Sequence, residues 1–185
     1  TTKYRGCISI IPSTGIKLLE KDENSATGYK VNATKDRVVT AVGDLAEFLV
    51  NDNTCFYDPN KDDYNGMRKA FMADRLAFSD DEVNNALTFT QNATDFGIVP
   101  YPKWNEDQSA YYTHAQDGYS VGVIPIDAPN LELCGAVVDV ISALSSEMVI
   151  PAYYDMALRD KYARDDESGE MLDLIREGFT VNFGY

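Results

Sequence analysis

DFGIVPYPKWNEDQSAYYTHAQDGYSVGVIPIDAPN, Asp95–Asn130, is the stretch whose reading decides the fold. Phe96–Val99 is a short apolar, β-prone run stopped by Pro100, with Pro102 two residues on, so the chain is expected to leave a sheet there in an extended conformation. From Tyr101 to Tyr119 a loop carries Tyr101, Trp104, Tyr111, Tyr112 and Tyr119 among Lys103, Asn105, Glu106, Gln108, His114 and Gln116. Flat apolar faces interleaved with hydrogen-bonding edges suit a sugar or another small polar solute. Tyr119–Ile126 returns to a β-type run, and Asp127-Ala-Pro-Asn130 reads as a helix start with a polar cap and Pro in the first turn.

Working outward, Gly15–Glu20 and Tyr29–Asn32 flank the polar DENSATG segment and predict a β-hairpin. Thr34 is a cap candidate for a helix whose apolar stripe is Val38, Val42, Leu45 and Leu49, ended by Asn51-Asp-Asn53. Tyr64–Asp74 predicts a shorter helix, Arg75–Phe78 a strand and Asp80–Gln91 a third helix. After the aromatic loop, Leu133, Val137, Val140, Ile141 and Leu144 form a helical stripe facing a core. Pro151 is expected to open another helix through Tyr153 and Met156, and Asp165-Asp-Glu-Ser168 to cap a last one through Met171, Leu172 and Ile175 before Gly178. Alternating strands and helices place the chain in the α/β class, without internal repeats or low-complexity tracts.

The 185 residues suffice for one domain with a real core. Thirty acidic against sixteen basic side chains leave a net charge of −14, which disfavours nucleic acid and anionic lipid as partners. Cys7, Cys55 and Cys134 have neither a disulfide framework's even number nor a zinc site's spacing; Cys134 reads as packing, and a Cys7–Cys55 pair stays open. Asp58-Pro-Asn60-Lys-Asp62 begins like a calcium loop, but Asp63 stands where the turn needs Gly and Lys69 where the bidentate Glu belongs, so a solvated acidic turn is expected and no metal. His114 is the sole histidine, and no nucleophile signature or phosphate loop accompanies it. No catalytic residue and no cofactor is expected.

The motifs "DFGIVPYPK…Q…Y" and "GYSVGVIPIDAPN…GAVVDVISA", continued by Met148-Val-Ile-Pro-Ala-Tyr-Tyr154, Lys161–Ser168 and Met171–Ile175, resemble family 1 of the extracellular solute-binding proteins of ABC importers, the carbohydrate type. The resemblance runs from about Tyr64 onward and is carried by spaced apolar and turn residues. It implies a lobe like that of the type II periplasmic binding proteins, a mixed sheet flanked by helices. Family members are about twice as long, so it also implies a fragment, residues 1–185 forming a single α/β domain of a two-lobed protein. Residues 1–118 and 151–185 would then belong mainly to the C-terminal lobe, and residues 119–150 would supply a crossing strand and a helix of the other lobe.

The resemblance further implies a monomeric carrier that captures a sugar or oligosaccharide for an ABC permease, located outside the cytoplasm as a lipoprotein or periplasmic protein. A carbohydrate-active hydrolase or a stand-alone glycan-binding module is the alternative. By resemblance the strand-to-helix junction Leu76–Asp81 opens on the ligand cleft, which maps the site onto Ser79, Asp80, Glu82 and Asn84. Asp80 and Asp81 read equally well as helix caps. Trp104, Tyr111, Tyr112 and Tyr119 are the aromatic candidates for stacking on a sugar, with ordinary loop packing as the other reading.

Overall fold

A computed structural model describes residues 9–33, 35–51, 55, 64–89, 95–115, 118, 120–154 and 166–181. The expected hairpin forms, though shorter: β1 (Leu19–Lys21) pairs antiparallel with β2 (Tyr29–Val31) in the register Leu19↔Val31, Glu20↔Lys30, Lys21↔Tyr29. Its turn ends on Gly28 at φ 73°, a left-handed position that glycine takes without strain. Helix α1 (Asp36–Asn51) buries Val38, Ala41, Leu45 and Leu49. Val42, expected in that stripe, is 45% exposed, because the buried arc is turned toward Ala41, whose small side chain packs with Ile16 and Val38. Ile11, Leu18 and Trp104 complete this first cluster. The cap expected at Thr34 lies outside the described residues.

Helix α2 (Tyr64–Met72) buries Met67 and Ala70 and turns Phe71 toward Phe89 and Phe96. The three rings meet edge to face, with centroids 5.2, 5.9 and 6.4 Å apart, the preferred geometry of aromatic quadrupoles. The helix stops where Asp74 adopts φ 55° and Arg75 N–H donates back to Ala70 O at 3.0 Å, a left-handed cap that Asp tolerates better than most residues.

Two expected strands are not strands. Residues 75–78 belong to neither sheet among the described residues and leave Phe78 81% exposed, and residues 96–99 run extended outside both sheets, with Ile98 N–H donating to Ser168 Oγ at 3.1 Å. In the described part of the helix expected over Asp80–Gln91, residues 80–82 are not helical, and a 3-10 turn (Val83–Asn85) leads into α3 (Ala86–Phe89); residues 90 and 91 lie outside the described residues. A second, unforeseen sheet joins β3 (Thr113–His114) to β4 (Phe179–Thr180) in parallel, Thr113 opposite Phe179. The architecture among the described residues is thus mixed α/β, helices with two two-stranded sheets.

Residues 120–127 are exposed throughout and belong to neither sheet, so the β-type run at Tyr119–Ile126 is extended but unpaired in its described part. Helix α4 (Leu131–Leu144) follows, capped by Asn130, whose Oδ1 accepts from Leu133 N–H at 2.9 Å. The helix expected to begin at Pro151 does not start there: α4 continues through a π-turn (Ser145–Val149) to Tyr154. An α-helical Pro151 ring would strike the carbonyl of Glu147, and widening the turn to i→i+5, with Ile150 N–H donating to Ser145 O, relieves that conflict. Leu131–Tyr154 is long and apolar enough to cross a membrane by length and composition, and none of that stretch is buried. The stripe Leu133, Val137, Val140, Ile141 and Leu144 exists as read, but it faces solvent rather than a core.

Helix α5 (Asp166–Glu177) buries Ser168, Leu172 and Ile175, and Val83, Ile98 and Tyr154 pack on the last two. Gly178 ends it at a tight crossing, where a Cβ would lie 2.3 Å from Tyr111 O. Among the described residues, therefore, a packed body is distinct from an exposed unit, the extended run 120–127 and the long apolar helix.

Candidate functional site

The loop between α2 and the 3-10 turn is fixed from below by a buried ion pair. Asp81 takes a two-pronged grip from Arg68, Nε to Oδ2 at 2.5 Å and Nη2 to Oδ1 at 2.8 Å, while Asn85 Nδ2 and Glu82 N–H donate to Oδ1 at 2.8 and 2.9 Å. The two side chains are 6% and 21% exposed. Burial by itself raises the Asp81 pKa, but the bonds from Arg68, Glu82 and Asn85 outweigh it and hold the carboxyl below its ordinary value. Asp81 is thus the anchor of the loop rather than the cap of a long helix, and it takes up the Glu82 N–H.

On this anchored loop the structure brings Ser79 and Asp80 together with Tyr101. Tyr101 Oη donates to Asp80 Oδ2 at 3.4 Å, and Ser79 Oγ is buried with no hydrogen-bond partner among the described residues. Glu82 is half-buried at the start of the 3-10 turn, and Asn84 points to solvent on it. A serine hydroxyl, a carboxylate and a phenol, the last brought in from 21 residues along the chain, are groups that can donate to and accept from the vicinal hydroxyls of a polyol.

The aromatic candidates are placed differently. Trp104 packs on the Ile16–Val38–Ala41 cluster, and its backbone N–H donates to Gln108 Oε1 at 3.0 Å. Tyr112 lies against Gly15, where a Cβ would come within 2.8 Å of its ring, and Lys103 Nζ stands 4.8 Å above the Tyr111 ring. Gln108 is the staple of this loop: buried, it donates through Nε2 to Ser13 O at 2.9 Å and Ala110 O at 2.7 Å. Trp104, Tyr111 and Tyr112 are each partly buried, Trp104 and Tyr112 through these contacts with the body. Tyr119 lies outside the described residues.

Arg68 and Tyr101 are the members that sequence reasoning missed as site residues. Tyr101 was visible as one aromatic of the loop; Arg68 carries no local signal, because its partner is thirteen residues away across a turn. Among the described residues no group of His, Cys, Asp and Glu could hold a metal ion, and the acidic loop 58–63 lies outside them. Cys55 and Cys134 are free thiols; Cys55 Sγ donates to Phe48 O, and Cys134 is half-buried on the projecting helix rather than enclosed in a core. Cys7 lies outside the described residues. No protein-family model, no curated protein and no solved structure matches the chain.

Proposed function

We propose that the chain is part of the solute-binding component of an ABC importer, capturing a sugar or oligosaccharide between two lobes outside the cytoplasm and delivering it to a membrane permease. The observation that carries this reading is the two-part build: a packed body presents the anchored Ser79–Asp80–Tyr101 loop, and an extended run leads out of it into an apolar helix with no core of its own. An apolar arc of that width on a helix belongs in a core. In this reading that core is the second lobe, of the type II periplasmic binding kind, and capture works by closing the lobes about the crossing segments. Residues 1–185 then supply one wall of the cleft.

Calorimetry with neutral mono- and oligosaccharides on the intact two-lobed protein tests the reading. Saturable binding without release of reducing ends is the expected result, with the 185-residue chain at least ~100-fold weaker because half of the enclosing contacts are missing. Release of reducing ends would identify a hydrolase instead, and full-strength binding by the 185-residue chain would show the site complete without a second lobe.

A further inference from the structure

The long helix meets the body at its last described residue. No residue from Leu131 to Tyr154 is fully buried, and Tyr154, partly buried, packs on the Leu172–Ile175 cluster of α5. Arg176, in the last turn of α5, covers the Tyr154 ring with its guanidinium 5.3 Å from the centroid, and the Tyr153 ring meets it edge to face at 6.0 Å. Burial raises the Tyr154 hydroxyl pKa against the pull of Arg176, in keeping with a ring held in the body's surface. Upstream the helix passes through the π-turn Ser145–Val149, and it is π-helical again over residues 152–154, so these widened turns set the rotation at which Tyr154 arrives.

We propose that Tyr154, clasped between Arg176 and the Leu172–Ile175 surface, is the latch that fixes the orientation of the projecting helix relative to the body. Among the described residues the Tyr154 ring is what the helix lays on the α5 cluster, and a single ring is a weak hold for 24 residues, so the docked state is expected to exchange with a detached minor state of roughly 0.1–10%. The π-turn makes the latch directional: a regular α-helix over the same residues would deliver position 154 on another side of the axis. The inference concerns the chain's own mechanics and holds whether or not a solute binds.

The test places spin labels at Ser142→Cys and Glu170→Cys in the 185-residue chain, its native cysteines replaced by serine, and reads the distance distribution by pulsed EPR. The latched chain should give one narrow distribution. Tyr154→Ala should broaden or split it, raising the ratio of detached to docked at least ~10-fold, and Tyr154→Phe should restore the narrow form, because the ring and not the hydroxyl makes the contacts. Amide exchange along α5 separates a latch from a core residue, the latch leaving Leu172–Ile175 protection intact. A broad distribution in the parent chain, an unchanged one in Tyr154→Ala, or loss of α5 protection in that variant would each overturn the proposal.

Discussion

At the scale of single residues the decisive pair is Arg68–Asp81. A carboxylate 6% exposed is costly to bury and is stable here because four donor contacts meet it. Arg68→Met leaves that carboxylate with fewer partners and should cost about 3–5 kcal/mol of stability, whereas Arg68→Met with Asp81→Leu together should recover most of the loss. Because the folded pKa of Asp81 is depressed, its stabilisation is present above the unfolded carboxyl value and disappears as the pH falls through the folded one. Denaturant melts between pH 2 and 6 should show stability rising with pH in the parent chain and a flatter rise in Arg68→Met; equal slopes would remove Asp81 as the source. Trp104 belongs to the same scale. Seated on Ile16, Val38 and Ala41, it should cost about 3–5 kcal/mol when cut to Ala, the loss of a core aromatic, with solute affinity in the intact protein unchanged. A ligand-stacking Trp would give the reverse in paired thermal melts and titrations. Gln108, read in the sequence only as one polar residue of the loop, fastens that loop to the body through hydrogen bonds to Ser13 and Ala110.

Elements whose signal is local were legible in the sequence, and those needing a distant partner were not. The hairpin, α1, α2, α4 and α5 announce themselves through turn residues and a 3.6-residue period. Arg75–Phe78 and Phe96–Val99 carry the composition of strands, yet a strand exists only with a neighbour, and the ladder that does form pairs two-residue segments 66 positions apart, Thr113 with Phe179. The candidate site divides in the same way. Ser79 and Asp80 could be named from a polar stretch before a helix, while Arg68 and the seating of Trp104 are tertiary facts. Helix α4 supplies an element-scale prediction. With no side chain buried, its stability rests on local terms, among them the Asn130 cap. Asn130→Ala should cost the helix about 1 kcal/mol. Hydrogen exchange should show that loss as faster amides at 131–134, with α1 and α5 unchanged; faster exchange spread over the body as well would mean that α4 is coupled to it after all.

At the scale of the whole molecule two opposing features meet. The exposed unit presents Val121, Val123, Ile126, Leu133, Val137, Val140, Ile141 and Leu144 to water, more contiguous apolar surface than a soluble monomer ordinarily shows. Against it stands a net charge of −14, whose self-repulsion keeps copies apart. The acids on the helix do not interrupt the stripe, since Glu132 and Asp139 are seven residues apart and fall together on the side away from Leu133, Val137 and Ile141. Association of the 185-residue chain should therefore be governed by salt: slight at ~10 mM, where the Debye length is ~30 Å, and marked at ~0.5 M and above, where screening falls to a few ångströms. Val137→Glu with Ile141→Glu should abolish that response. Because neither residue supports the body, the double variant should keep the parent's unfolding free energy to within about 0.5 kcal/mol. Sedimentation velocity across the salt series, with melts of both chains, measures the two effects separately. A salt response that survived the double variant would place the sticky surface elsewhere, and a destabilised variant would show that the stripe already has a partner within the chain.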